Sequence, residues 1–213
     1  MAKKALKPGT LLSPVPVVMV SCGEGETANI ITIAWTGIVN SDPPMTYISV
    51  RKSRHSHELI RRSGEFVINL TTEALAFSTD YCGVKSGRDK NKFQETGLTP
   101  GKAQKVGCPL IEESPVNLEC KVREVHSYPS HDMFVAEIVA MDVDEELISE
   151  KGKILLEEAG LLAFIHGEYF GVKKYSMGRL GFSVMKPKTK KRINKEKHLE
   201  RIAKNREKKK KKG

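Results

Sequence analysis

The sequence predicts a small antiparallel β-barrel with two or three helices packed on it. Short apolar, β-branched runs recur through the first two thirds of the chain, separated by Gly, Pro and charged turns. Two long runs, residues 115–125 and 133–143, are joined by a short turn carrying Pro129, the pattern of a hairpin. Helical segments fall between strands and are short, so they read as cover for a sheet rather than as a bundle.

Each element follows from its residues. Residues 16–21 (PVVMVS) are apolar and run into Gly23-Glu24-Gly25-Glu26, a strand followed by a turn. Residues 29–36 form the next strand; their polar positions do not alternate, which predicts protein on both faces. A bend stiffened by Pro43 and Pro44 leads to a third strand at 46–50 (TYISV). Residues 56–63 (SHELIRRS) read as a short helix opened near Ser56, with Leu59 and Ile60 inward and Gly64 as its stop. Residues 65–70 (EFVINL) are the fourth strand, and 72–81 a helix capped by Thr71 or Thr72. Residues 82–100 are a Gly- and Lys-rich loop with one helical turn near 89–94. Along 115–125, Val116, Leu118, Cys120 and Val122 share one face. Residues 126–132 turn, and 133–143 (MFVAEIVAMDV) return antiparallel. Residues 152–160 read as a brief helix; 161–172 is apolar but interrupted by Gly167 and Gly171 and stays unassigned.

The chain has 213 residues and a net charge of +10. That charge is localised. Residues 186–213 carry 15 Lys or Arg against 3 Glu, a net of +12, leaving 21 basic and 23 acidic side chains, a net of −2, in residues 1–185. We therefore read a folded body over 1–185 and a basic low-complexity tail over 186–213, frayed helix or disordered. Its large apolar residues, Ile193, Leu199 and Ile202, are too few to hold a packed helix. The tail suits nucleic acid or an anionic surface through counterion release, although no aromatic residue interleaves its lysines for base stacking. Cys22, Cys82, Cys108 and Cys120 form no CxxC pair and read as reduced thiols of a cytoplasmic protein. No stretch approaches the ~20 apolar residues of a transmembrane helix, and the run at 15–20 is too short for a signal core. No GxxxxGK[ST] occurs, which excludes a P-loop. His55 and His57 lack a third zinc ligand nearby in sequence.

Four local patterns could carry chemistry. Arg51-Lys52-Ser53 with Ser56 and His57 follow a strand and precede a helix start, where hydroxyls, amides and positive charge suit a phosphate; a solvated basic turn with a Ser cap is the plainer reading. Trp35, Thr36 and Gly37 could flank a planar ring and hydrogen-bond along one edge, or Trp35 could fill the core. Ser86-Gly87-Arg88-Asp89 with Lys90 and Lys92 has the Gly and cations of an anion-binding loop, or is a charged surface loop. His131, at a strand entrance, could donate a hydrogen bond to a carbonyl or a pyridine nucleotide, or bond to backbone in a turn.

Five stretches in order, PVPVVMVS, NIITIAWTGIVNSDPPMTYISVRKSRHSHELI, GEFVINL, DYCGVKSGRDKNKF with GLTP, and HDMFVAEIV, resemble the flavin reductase-like family with the FMN-binding split barrel, closest to its flavoredoxin branch. The resemblance spans roughly residues 14–182. It implies an antiparallel split β-barrel, mainly β with peripheral helices, holding FMN non-covalently near the interface of a homodimer. Trp35, Thr36 and Gly37 would lie along the flavin and its ribityl chain, with the Thr36 and Gly37 amides near the pyrimidine edge. Asn29 matches the Asn that opens the motif. Arg51, Lys52, Ser53, Ser56 and His57 match the segment around the phosphate, and Ser86, Gly87, Arg88 and Lys92 the loop that closes over the cofactor. His131 matches a family His usually found within Gly-Asp-His; here Pro129-Ser130 precede it, and Ala136 stands where Gly is common. The implied activity is passage of electrons from NAD(P)H through FMN to an acceptor. The alternative is a flavoredoxin-type carrier serving redox proteins without its own NAD(P)H activity.

Overall fold

The computed structural model describes residues 1–189 and 191–193. The chain divides into a compact unit, Met1–Lys174, and a second unit, Tyr175–Gly213. The boundary expected at residue 185 lies within the second unit. There a 3-10 turn occupies Phe182–Val184, and the described residues 187–189 and 191–193 are helical. The rest of the expected frayed or disordered tail lies outside the described residues.

The first unit runs β1 (Val15–Pro16), β2 (Val18–Cys22), β3 (Asn29–Ile33), β4 (Thr36–Ser41), β5 (Pro44–Arg51), α1 (His55–Ser63) and β6 (Glu65–Leu70). It continues with α2 (Ala76–Val84), α3 (Lys92–Thr96), β7 (Pro100–Gly101), β8 (Leu110–Ile111), β9 (Val116–Ser127), β10 (His131–Val143), β11 (Leu162–Ile165) and β12 (Glu168–Gly171). Seven strands form one sheet in the order β3-β2-β6-β9-β10-β5-β4, every neighbour antiparallel. The sheet does not close. No ladder joins β3 to β5, and the chain crosses that split directly from β3 into β4.

Two apolar layers explain why β3 does not alternate and why β2 is buried throughout. Val18, Val20 and Cys22 face a core with Ile31, Ile48, Ile60, Phe66 and Phe134. Met19, from the opposite face, packs with Ile30, Leu75, Cys82, Phe93 and Ile111 beneath α2 and α3. Burying Phe66 and Phe134 completely contributes about 1.5–3 kcal/mol each. Polar residues on the second face of β9 are buried because they tie down the 102–111 segment. The Glu119 carboxylate accepts hydrogen bonds from the amides of Gln104 (2.7 Å), Lys105 (2.6 Å) and Val106 (3.1 Å). Asn117 Nδ2 donates to Asn69 Oδ1 (2.7 Å) and the Ile111 carbonyl (3.0 Å).

Several boundaries differ from expectation. The strand expected over 29–36 breaks at Ala34-Trp35 and resumes as β4, because the Ser49 amide donates to the Trp35 carbonyl (2.9 Å) and draws the chain onto β5. The helix expected from Ser56 begins at His55 with Arg54 as its N-cap, and it ends at Gly64 in the left-handed region (φ 69°) as read. The helix expected over 72–81 is a 3-10 turn, Glu73–Leu75, followed by α2. The turn expected at 89–94 is α3, capped by Asn91 Oδ1 accepting from the Gln94 amide. Residues 152–160 hold only a 3-10 turn, Leu156–Glu158. The unassigned 161–172 is the β11–β12 hairpin, closed by His166 (φ 52°) and Gly167 (φ 94°), a two-residue turn that requires positive φ.

All four cysteines are free and buried. Burial pushes their thiols up, to about 12 for Cys22 and Cys120 and about 11 for Cys82. A thiol reagent at pH 8 should therefore label less than one cysteine per native chain within minutes, and all four in denaturant; rapid native labelling would contradict the packing. Among the described residues no helix is long and apolar enough to cross a membrane.

Candidate functional site

The split between β3 and β5 opens into two adjoining cavities. The first, roughly 350 Å³, lies between the start of β3, the β5–α1 turn and the loop after α2. The second, roughly 210 Å³, lies between the β3–β4 kink, the end of β5 and the start of β10. Ile31, Arg51 and Arg54 line both, so they form one groove.

One end of that groove is cationic. Arg51, Arg54, Lys85, Arg88 and Lys92 line the first cavity together with Ser53, Ser56 and Ser86, and no carboxylate does. The first turn of α1 borders it, bringing helix-start amides that have no intrahelical partner. Asn29 is buried and donates from Nδ2 to Ser56 Oγ (2.7 Å), tying β3 to α1. Gly87 lies so close to Asn29 that a Cβ there would stand 2.5 Å from Asn29 Cγ. Arg88 Nη1 donates to the Ser53 carbonyl (3.3 Å), drawing the 86–88 turn over the β5–α1 turn. Lys92, 3% exposed, donates from Nζ to the carbonyls of Ile30 (2.6 Å) and Cys82 (2.8 Å). An ammonium has three N–H donors, so one remains. Burial pulls the Lys92 pKa down, as expected for a cation whose hydrogen-bond partners are neutral carbonyls. His55 also lines the cavity, and its Nδ1 is buried without a hydrogen-bond partner.

The other end carries two rings. Trp35 is 43% exposed, so it does not fill the core; its indole lies against the His131 imidazole with centroids 4.8 Å apart. His131 pairs with Arg51 across β10 and β5, and its Nδ1 lies 2.8 Å from Ser130 Oγ. Partial burial, with Arg51 adding to it, holds the His131 pKa below the usual histidine value.

The structure thus brings Asn29, Arg51, Ser53, Ser56, Ser86, Gly87, Arg88 and Lys92 to one end, and Trp35 and His131 to the other. Four expected residues are elsewhere. Lys52 points away, its Nζ donating to Ser127 Oγ (2.8 Å) and lying 3.4 Å from Asp132. Lys52 is the first residue of the turn after β5, and its Nζ is held by the β9–β10 hairpin while Arg51 faces the groove. His57 is buried behind the groove, its Nε2 2.8 Å from Asp132 Oδ2. Thr36 and Gly37 line neither cavity; the Thr36 hydroxyl donates to the Tyr47 carbonyl (2.6 Å), and Gly37 makes room for the Tyr47 ring. Sequence reasoning missed Arg54, His55 and Lys85. Arg54 and His55 lay within RKSRHSH, and the extra cation there was the available signal.

A split antiparallel barrel with a groove that is aromatic at one end and cationic at the other defines a binder of flat ligands with anionic tails. Residues 11–173 match the flavin reductase like domain, and the chain belongs to that family. It is similar to two solved structures. The flavoredoxin of Desulfovibrio vulgaris (Miyazaki F) superposes with a TM-score of 0.79 at 29% identity, over 85% of this chain and 100% of that one. The flavoredoxin of Methanosarcina acetivorans superposes with a TM-score of 0.78 at 28% identity, over 87% and 100%. An NADH-dependent FMN reductase of Streptomyces nodosus subsp. asukaensis is 30% identical over 122 residues, 57% of this chain and 63% of the relative.

Proposed function

We propose that the chain is an FMN-binding flavoprotein oxidoreductase that passes electrons from NAD(P)H through non-covalent FMN to an acceptor. The carboxylate-free set of cations and serines, continuous with the Trp35–His131 end, supports this best. The groove fits FMN on three further counts. His55 Nδ1 is a buried polar atom without a partner, Lys92 keeps a spare N–H, and Gly87 keeps the wall free of a side chain.

In this reading Arg51, Arg54, Arg88 and Lys92, with the hydroxyls of Ser53, Ser56 and Ser86, hold the phosphate. Trp35 flanks the ring. FMN, when bound, supplies the redox chemistry, accepting a hydride and releasing electrons. The chain's own contribution is alignment and electrostatics. His131, lining the second cavity, is placed to hydrogen-bond a carbonyl of the reacting partner. The exposure of Trp35 leaves this end open to a second reactant. Ile38 and Val39 of the edge strand β4 are exposed close by in sequence, which supports a homodimer with the groove near its interface.

A second reading is a flavoredoxin-type carrier without NAD(P)H activity. It is favoured by the likeness to two flavoredoxins over nearly the whole chain, and by Pro129-Ser130 standing before His131. Anaerobic mixing of the FMN-loaded protein with NADH or NADPH separates the two. Bleaching of the flavin absorbance within seconds is expected for the oxidoreductase. No bleaching, with reduction by a ferredoxin-type protein instead, would establish the carrier, and a chain that takes up no FMN would overturn both.

A further inference from the structure

Behind the groove sits a buried carboxylate to which the proposed function gives no task. Asp132 is 1% exposed. Its Oδ2 lies 2.8 Å from His57 Nε2 and 3.7 Å from Arg61 Nη1; its Oδ1 accepts from Ser127 Oγ (2.8 Å) and lies 3.4 Å from Lys52 Nζ. A buried charge is tolerated only where such partners surround it.

Asp132 and two of its partners are sequence neighbours of groove-lining residues. Lys52 stands between Arg51 and Ser53 in the β5–α1 turn. His57 follows Ser56 in the first turn of α1, and Asp132 itself follows His131 at the start of β10. Ser127 adds the other strand of the β9–β10 hairpin. One carboxylate therefore joins the three segments that supply the phosphate end and the histidine of the ring end, without lining either cavity.

We infer that Asp132 is a positioning residue that anchors the β5–α1 turn and the start of α1 to the start of β10, in the arrangement that forms the phosphate end of the groove. This rests on the reading of the groove as an FMN site. It makes a sign prediction opposite to simple electrostatics. Removing a negative charge behind an anion site should, by charge alone, tighten the binding of a phosphate. Loss of positioning should weaken it.

The test is the affinity of the full chain for FMN and for riboflavin, which lacks the phosphate, in wild type and Asp132→Asn. The expected result is FMN affinity reduced about tenfold or more, comparable to losing one hydrogen bond to a charged group, with riboflavin affinity changed less than about threefold. Unchanged or tightened FMN binding in a wild type that binds FMN overturns the role of Asp132 alone. A wild type that binds no FMN overturns the site, and this role with it. Should Asp132→Asn fail to fold, His57→Gln, which keeps an N–H donor, and His57→Leu, which does not, decide the matter. The Leu variant should lose the preference for FMN over riboflavin and the Gln variant retain it; equal preferences in the two would overturn the inference.

Discussion

Gly87→Ala should remove tight FMN binding while leaving the barrel folded. The added methyl would stand 2.5 Å from Asn29 Cγ and 2.8 Å from its Nδ2, far inside contact distance. Asn29 cannot yield cheaply. Its side chain is short, it opens β3, and it is buried with its amide donating to Ser56. Displacing it breaks a buried hydrogen bond, which costs about 1–3 kcal/mol, and pushes apart the β3 and 86–88 walls of the phosphate end. We expect FMN affinity to fall roughly 30- to 100-fold, about 2–3 kcal/mol, measured by fluorescence titration of the apo-protein. An alanine variant that binds FMN within threefold of wild type would show that the turn relaxes freely and that Gly87 is not needed in the wall.

Lys92→Met should have an effect of similar size on binding and little on stability. Lys92 is a buried cation bonded to two neutral carbonyls. Burying a charge without an ionic partner is unfavourable, and a well-packed apolar replacement is often neutral or stabilising. Relief of the buried charge offsets the two hydrogen bonds that the Ile30 and Cys82 carbonyls lose, so the free protein should melt within a few degrees of wild type. A dianionic phosphate, by contrast, would lose a charge-assisted hydrogen bond, roughly twice as strong as a neutral one. FMN affinity should fall about 100-fold, close to 2.7 kcal/mol, and the stabilisation that FMN gives the wild type should largely vanish. A variant that melts far lower but binds FMN normally would make Lys92 a structural tie between β3 and α2 only.

These two positions also mark where the sequence was readable. The β9–β10 hairpin was legible because alternation and a Pro-containing turn are local signals, and α1 ended where Gly64 said it should. The break at Ala34-Trp35 was not legible. It carries no Gly or Pro, and it arises from a ladder with β5 that forms across the chain. Within the site, Arg51, Ser53, Ser56 and the 86–92 loop were placed at the cationic end from type and spacing, and the structure gathers them there. Lys52 and His57 have equally suitable chemistry, yet both turn to Asp132, which is 75 residues from His57. No local pattern reports a partner so distant. Arg54 and His55 were overlooked because Ser56 was read as the helix cap, which placed the helix start one residue late.

We propose that this groove holds FMN with its phosphate among Arg51, Arg54, Arg88 and Lys92. The most direct measurement is calorimetric titration of the flavin-free full chain with FMN and, separately, with riboflavin. The expected result is one FMN per chain and at least about 100-fold weaker riboflavin, the difference that charge-assisted contacts to a phosphate would produce. Equal affinity for the two flavins, or no uptake of either, would contradict it.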